Sequence, residues 1–268
     1  MTRSRRSLTW LAAAVAIAFA LLVIAAGESR RPVPVALAQA GTPQELAAQL
    51  TGNDAVLREA IDRWREAEDP PTQPPPDEVL NGSRFLQDQV RALARDRALA
   101  ASTIPLLPDP LRSAVVDLVA ASRKLARLSK GAPERKLKEG EPESLGGLVS
   151  HYRKAKRRHR IGVHYLAAVN LVETKFGRVK SKSTAGAKGP MQFIPSTWKI
   201  YGKGSIHDPH DAIQAAARLL RDRGAPRSYG RALFAYNPSK LYVGAVSIYA
   251  RLIARDRDAI YFLYCWGP

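Results

Sequence analysis

The sequence predicts a mainly α-helical fold, and three observations carry that expectation. Apolar residues recur at spacings of three and four along several separate stretches, the period of one helix face. Asp-Pro pairs at Asp109-Pro110 and Asp208-Pro209 stand where helices would start. Glycines at 177 and 224 stand where such stretches would stop.

Taken in order, the chain opens with Arg3, Arg5 and Arg6 before an uncharged run from Leu8 to Ala26. That run approaches the ~20 residues needed to cross a bilayer. Ala36-Leu37-Ala38 has the small-x-small form cut by signal peptidase, and Arg5-Arg6 partly matches a twin-arginine signal. Residues 1–38 are therefore expected to be an export signal or a retained membrane anchor, and either fate places the remainder in the extracytoplasmic cell envelope.

Residues 42–129 read as a helical region. Leu57, Ile61 and Trp64 mark a first stripe, and Leu86, Val90 and Leu93 a second, with the proline-rich DPPTQPPPD between them. Asp109 is expected to cap a third helix, whose stripe is Leu111, Val115, Leu118, Ser122 and Leu125. These faces need partners, so a small helical bundle or an α-hairpin packed on the rest of the chain is expected. No motif here carries chemistry. Residues 130–147, with Gly, Pro and mixed charges, read as a linker.

Residues 148–268 hold the informative part. HYRKAKRRHR, from His151 to Arg160, has no acid. It is either a solvated helix face with Tyr152 and Ala155 turned inward, or an attachment surface for an acidic polymer. Leu166, Val169, Glu173 and Phe176 then share one helical face, which puts a carboxylate within an apolar stripe. Burial there, and the negative end of the helix before Gly177, both disfavour the charged form. A carboxyl kept protonated near neutral pH is a general acid. Gly186 and Gly189 permit tight turns and close backbone approach to a ligand. Asp208, His210 and Asp211 invite a metal reading, but a standard helix start explains them better: Asp208 caps and Pro209 presets the first turn. Ile213, Ala216, Ala217 and Leu220 form the next stripe. Ser239 can cap a last helix with Leu241, Ala245, Ile248 and Leu252 inward.

The chain has 268 residues and a net charge of +18, which suggests a polyanionic partner. Export argues against nucleic acid, leaving wall polymer or anionic lipid. The single cysteine, Cys265, excludes an internal disulfide and a cysteine-based zinc site, and its aromatic surroundings suggest a buried thiol.

VETKFG, then STAGAKGPMQFIPSTW, then AYN, in that order, resemble the lytic transglycosylases of bacterial cell walls, whose catalytic domain is related to goose-type lysozyme. The resemblance covers roughly residues 150–254. It implies a lysozyme-like α-helical catalytic domain, with Glu173 at the position of the family's single acid/base. Ser183 and Gln192 match groove-lining residues and Met191 their packing neighbour, while Tyr236 and Asn237 match the pair that orients the acid and contacts substrate. Thr174, Pro190 and Pro238-Ser239 depart from the usual Ser, Leu and Ala-Gly. The implied substrate is the glycan strand of peptidoglycan, cut between N-acetylmuramic acid and N-acetylglucosamine to leave anhydromuramoyl ends. No cofactor and no metal are implied. A hydrolysing muramidase of the same fold, or a wall-binding protein that has lost catalysis, are the alternatives.

Overall fold

The computed structural model describes residues 41–132 and 136–268. The expected signal or anchor, residues 1–38, lies outside them. Among the described residues no helix is long and apolar enough to cross a membrane.

The architecture is helical throughout, with eleven α-helices among the described residues: α1 Pro43–Ala67, α2 Asp77–Arg95, α3 Arg97–Thr103, α4 Leu111–Leu128, α5 Leu145–His159, α6 Val163–Thr174, α7 Pro195–Tyr201, α8 Pro209–Asp222, α9 Tyr229–Tyr236, α10 Lys240–Arg255 and α11 Ala259–Tyr264. Extended pairing among these residues is confined to two isolated bridges, Glu139 with Val179 and Lys188 with Phe193.

Local chemistry explains most helix starts. Thr42 and Glu45 form a reciprocal capping box on α1, with Pro43 in its first turn. Asp96 accepts from the Leu99 amide and starts α3, a helix too short to show periodicity in the sequence. Asp208 caps α8 by accepting from Asp211 N at 2.9 Å, as expected. Asp109 does not cap α4. Pro110 occupies the N-cap, and the Asp109 carboxylate pairs instead with Arg112 at 2.6 Å. The segment before α5 lies against the chain after α6: Lys180 N donates to Lys138 O at 2.8 Å and Gly140 N to Arg178 O at 2.9 Å.

α6 is the centre. Leu166 to Leu171 are all buried, so the helix is apolar nearly all round rather than along the narrow stripe that its sequence suggests. α5, α8, α10 and α11 pack against it. α4 lies along the far side of α10, α2 packs on α4 and α1 on α2, so the N-terminal helices back the helix that covers α6. One buried apolar cluster runs from Leu46 to Trp266.

Polar contacts fasten the two ends together. Gln87 on α2 exchanges two hydrogen bonds with the backbone of Gly267, at 2.8 and 3.0 Å. Arg58 on α1 reaches Asp54 within its own helix and Asp256 and Asp258 between α10 and α11, all at 3.0–3.1 Å. Asp258 is 5% exposed, so removing Arg58 leaves a carboxylate without its principal counter-charge in a desolvated place. Arg58→Met is expected to lower unfolding stability by about 2–3 kcal/mol in urea titrations. Arg63→Met, which breaks only exposed pairs with Glu59 and Glu78, should leave the midpoint unchanged.

Candidate active site

Glu173 is the penultimate residue of α6 and 8% exposed. After it the backbone makes three successive residues of positive φ, Lys175 at 52°, Phe176 at 60° and Gly177 at 90°. The left-handed turn thus begins two residues before the glycine that was expected to end the helix. Thr174 holds this turn. Its hydroxyl donates to Pro190 O at 2.6 Å and accepts from Gly177 N at 2.9 Å, tying the end of α6 to the loop before α7. The hydroxyl that replaces the family's usual serine is therefore used.

That loop builds the facing wall. Ser183 exchanges backbone hydrogen bonds with Gly186 and Ala187, and its side-chain oxygen accepts from Ala187 N at 2.8 Å. Gly186 has open space where a Cβ would stand, whereas at Gly189 a Cβ would come within 1.8 Å of the carbonyl of Ile206. The close approach that requires a glycine at 189 is thus to the protein's own backbone. Gln192 adopts a φ of 47°, uncommon outside glycine, and its side-chain amide donates to Gly189 O at 3.0 Å. Met191 is fully buried beneath it.

A small cavity of about 40 Å³ brings Glu173 together with Gln192, Tyr236 and Asn237, and is closed on other sides by Phe193, Ile194 and Thr197. Ser183 and Met191 do not line it; they support the loop that does. Glu173 is the one carboxylate of the lining. Asp208 and Asp211 lie apart from it at the start of α8, where ligand atoms of Asp208, His210 and Asp211 come within 4.8 Å of one another. Their carboxylates are engaged locally, with Asp211 accepting from Ser205 N at 2.9 Å.

The contact to the acid comes from an unexpected residue. Tyr242, in the first turn of α10, donates its hydroxyl to Glu173 Oε1 at 2.7 Å. Tyr236, matched by resemblance to the orienting role, donates instead to Met191 O at 2.6 Å, and stacks parallel to Tyr242 with centroids 6.4 Å apart. Tyr242 escaped the sequence reading because the stripe of α10 was drawn too narrow. Ala245, Ile248 and Leu252 are buried as expected, while Leu241 is half-buried and Tyr242, Val246, Tyr249 and Ala250 widen the buried face. Ser239 does cap α10, accepting from the amides of Leu241 and Tyr242, and so fixes where that phenol points. Asn237 ends α9, and its buried Oδ1 accepts no hydrogen bond from a described residue.

Burial pushes the Glu173 carboxyl up to about 8, against the opposing pull of the Tyr242 hydrogen bond, which favours the carboxylate. Burial, and next the nearby Glu173 carboxylate, hold the Tyr236 and Tyr242 phenols well above their ordinary range, so both remain donors. The site can therefore present a neutral carboxyl at pH 7, next to hydroxyls that do not ionise.

This has a consequence for stability. A carboxyl whose folded pKa lies near 8 binds its proton where the unfolded chain, near 4.5, has released it. Stability contributed by that proton is intact below the unfolded value, declines as pH rises from about 4.5, and is gone above about 8. Glu173→Gln removes the titration while keeping the shape. At pH 8.5 the variant should be more stable than the parent by roughly 3–5 kcal/mol, and at pH 4 similar to it, in urea unfolding at the two pH values.

Searches of curated proteins and of solved structures return no match to this chain. Comparison with protein families matches residues 150–246 to the family described as "Transglycosylase SLT domain", a span that begins in α5, contains Glu173, the loop to Trp198 and the AYN segment, and ends in α10 just past Tyr242. That match supports a lysozyme-like lytic transglycosylase catalytic domain in this part of the chain.

Proposed function

We propose that the protein is an exported lytic transglycosylase that cleaves the β-1,4 bond between N-acetylmuramic acid and N-acetylglucosamine in peptidoglycan without consuming water. Peptidoglycan as the substrate class follows from the SLT domain. The observation that carries the rest is a carboxyl with a pKa near 8 in a cavity lined by no other carboxylate.

Ordinary glycosidases use two carboxyl groups. These stand ~5 Å apart where one is a nucleophile and ~6.5–9.5 Å apart where a water lies between them. Glu173 lacks such a partner in its cavity, and no acid occurs from residue 174 to 207. The reaction must then take its second group from the substrate. Glu173 gives its proton to the glycosidic oxygen, and the bond from that oxygen to C1 of the muramic residue breaks. The N-acetyl oxygen of the same sugar stabilises the positive charge at C1. Glu173, now a carboxylate, removes the proton of the C6 hydroxyl, and O6 bonds to C1. The carboxyl regains its proton, and the muramic end is an anhydro sugar.

A pKa near 8 suits both halves of this cycle, since neither the donation nor the recovery of the proton is strongly uphill near neutral pH. Tyr242 keeps one oxygen of the carboxyl occupied and so fixes the other toward the cavity. Gln192 and the unpaired Oδ1 of Asn237 supply polar contacts to the sugar, the latter an acceptor for an N–H or O–H of the substrate. Tyr236 supports the wall through Met191 O, and Ser183 holds the loop on which Gln192 sits. Residues 1–38 bring the enzyme to the wall, as a cleaved signal or an anchor.

Glu173→Gln should lower solubilisation of purified peptidoglycan by at least about 10², the lower end of what general acid–base catalysis supplies. The parent's kcat/KM should be level below pH 8 and fall above it, as the acid loses its proton. Digestion in ¹⁸O-labelled water separates the two enzyme readings by mass spectrometry. Anhydromuramoyl ends without label are expected; reducing muramic ends carrying ¹⁸O would make the protein a hydrolysing muramidase. Retention on wall fragments with no cleavage at any pH would leave a binding protein.

A further inference from the structure

A second cavity among the described residues is larger than the one at Glu173. It measures about 370 Å³, within the range of small-ligand sites, and lies where α2 and α4 meet the C-terminal turn of α6. Six cations line it, Arg91, Arg95, Arg97, Arg123, Arg127 and Lys175, and no carboxylate does. On a chain whose acids elsewhere form ion pairs, so many cations around one cavity without a counter-charge is costly.

Their partners divide them. Arg123 is held in place, donating to the carbonyls of Leu93 and Ala94 at the end of α2. Arg91 donates one nitrogen to Pro268 O at 2.9 Å and stands 4.0 Å from the exposed Asp88. The side chains of Arg95, Arg97, Arg127 and Lys175 make no hydrogen bond or ion pair to a described residue. Lys175 is 6% exposed, and burial, followed by the nearby Arg91, pushes its ammonium down to about 8. A buried ammonium without a partner is tolerated where an anion arrives to pair it.

We propose that this cavity is a binding site for a ligand carrying two or more closely spaced phosphate groups. Multiple charge is needed because a single carboxylate would leave most of the cluster unbalanced. Phosphate suits a ring of guanidinium groups, which grip tetrahedral oxyanions with paired N–H donors, and Lys175 adds a point charge at the floor. Val172 and Lys175 line this cavity while Glu173 lines the other, so one helical turn separates bound phosphate from the candidate acid.

The test is calorimetric titration of the full-length protein with sodium pyrophosphate, and separately with poly(glycerol phosphate), at about 0.15 M salt so that diffuse attraction is screened. Saturable binding of at least one is expected. Pyrophosphate alone points to a free or esterified pyrophosphate, and the polymer alone to phosphodiesters of the wall. Arg95→Gln combined with Arg127→Gln removes two exposed side chains that have no partner to lose, so folding is preserved. It should weaken binding at least about tenfold. Lys175→Met should do likewise, whereas Arg227→Gln, an exposed cation between α8 and α9, should leave affinity unchanged. The proposal is overturned if neither phosphate compound gives saturable heat, if the double variant binds as the parent does, or if Arg227→Gln weakens binding as much. Glycan cleavage is not read, so the outcome is independent of the activity proposed above.

Discussion

Everything around the candidate site depends on keeping the carboxyl of Glu173 out of water while leaving one of its oxygens usable. Burial alone would achieve the first and not the second. The hydrogen bond from Tyr242 achieves both, since it satisfies one oxygen inside the protein and leaves the other at the cavity. That bond requires α10 to cross α6 at a fixed place, with Ser239 capping it so that Tyr242 falls in its first turn. α10 in turn is held from behind by α4, which is the most extensive helix contact of the fold after which α1 and α2 complete the layer. The N-terminal helices thus act on the site without touching it: they fix the helix that fixes the acid.

Charge is distributed in two different ways over the same basic chain. On α5 the cations Arg153, Lys154, Lys156, Arg157 and Arg158 point to solvent while Tyr152, Ala155 and His159 are buried, which is the pattern of a solvated face. In that setting water screens the repulsion and a partner is not required. Around the cavity between α2, α4 and α6 the cations converge, and one of them is buried. Density of positive charge in the sequence would have pointed to α5; desolvation and convergence point elsewhere.

Much of this was legible from residues alone, and the parts that were not share a physical reason. The inward residues Leu57, Ile61 and Trp64 on α1, and Leu86, Val90 and Leu93 on α2, follow from helical period because period is local. The unusual placing of Glu173 was readable for the same reason, as was the cap at Asp208. Tyr242 was not, because its partner is 69 positions away, and the stripe of Ala245, Ile248 and Leu252 does not tell how wide the buried face of α10 becomes once other helices pack against it. The cap assigned to Asp109 failed because Arg112, one turn on, offers its carboxylate a charged partner. The cationic cavity could not be seen at all, since its residues come from α2, α3, α4 and α6 and meet only in the folded chain.

The backbone near the acid carries a further constraint. Lys175, Phe176 and Gln192 are three of the four non-glycine residues with positive φ among the described positions, and all lie within one turn of Glu173 or on the loop facing it. Such conformations cost of order 1–3 kcal/mol each and persist only where surrounding structure over-determines them. Here the surroundings can be named. Thr174 joins the strained turn to Pro190, Phe176 is locked in the core beside Tyr264, and Gln192 is bonded twice to Gly189 O. Relaxing the turn toward ordinary helix would continue α6 and carry Lys175 and Phe176 away from where they now pack. The strain therefore serves to end the helix directly after Glu173, so that the chain can double back and place Gln192 opposite it. A longer, more regular α6 would be easier to fold, but the loop that closes the cavity could not then reach across it.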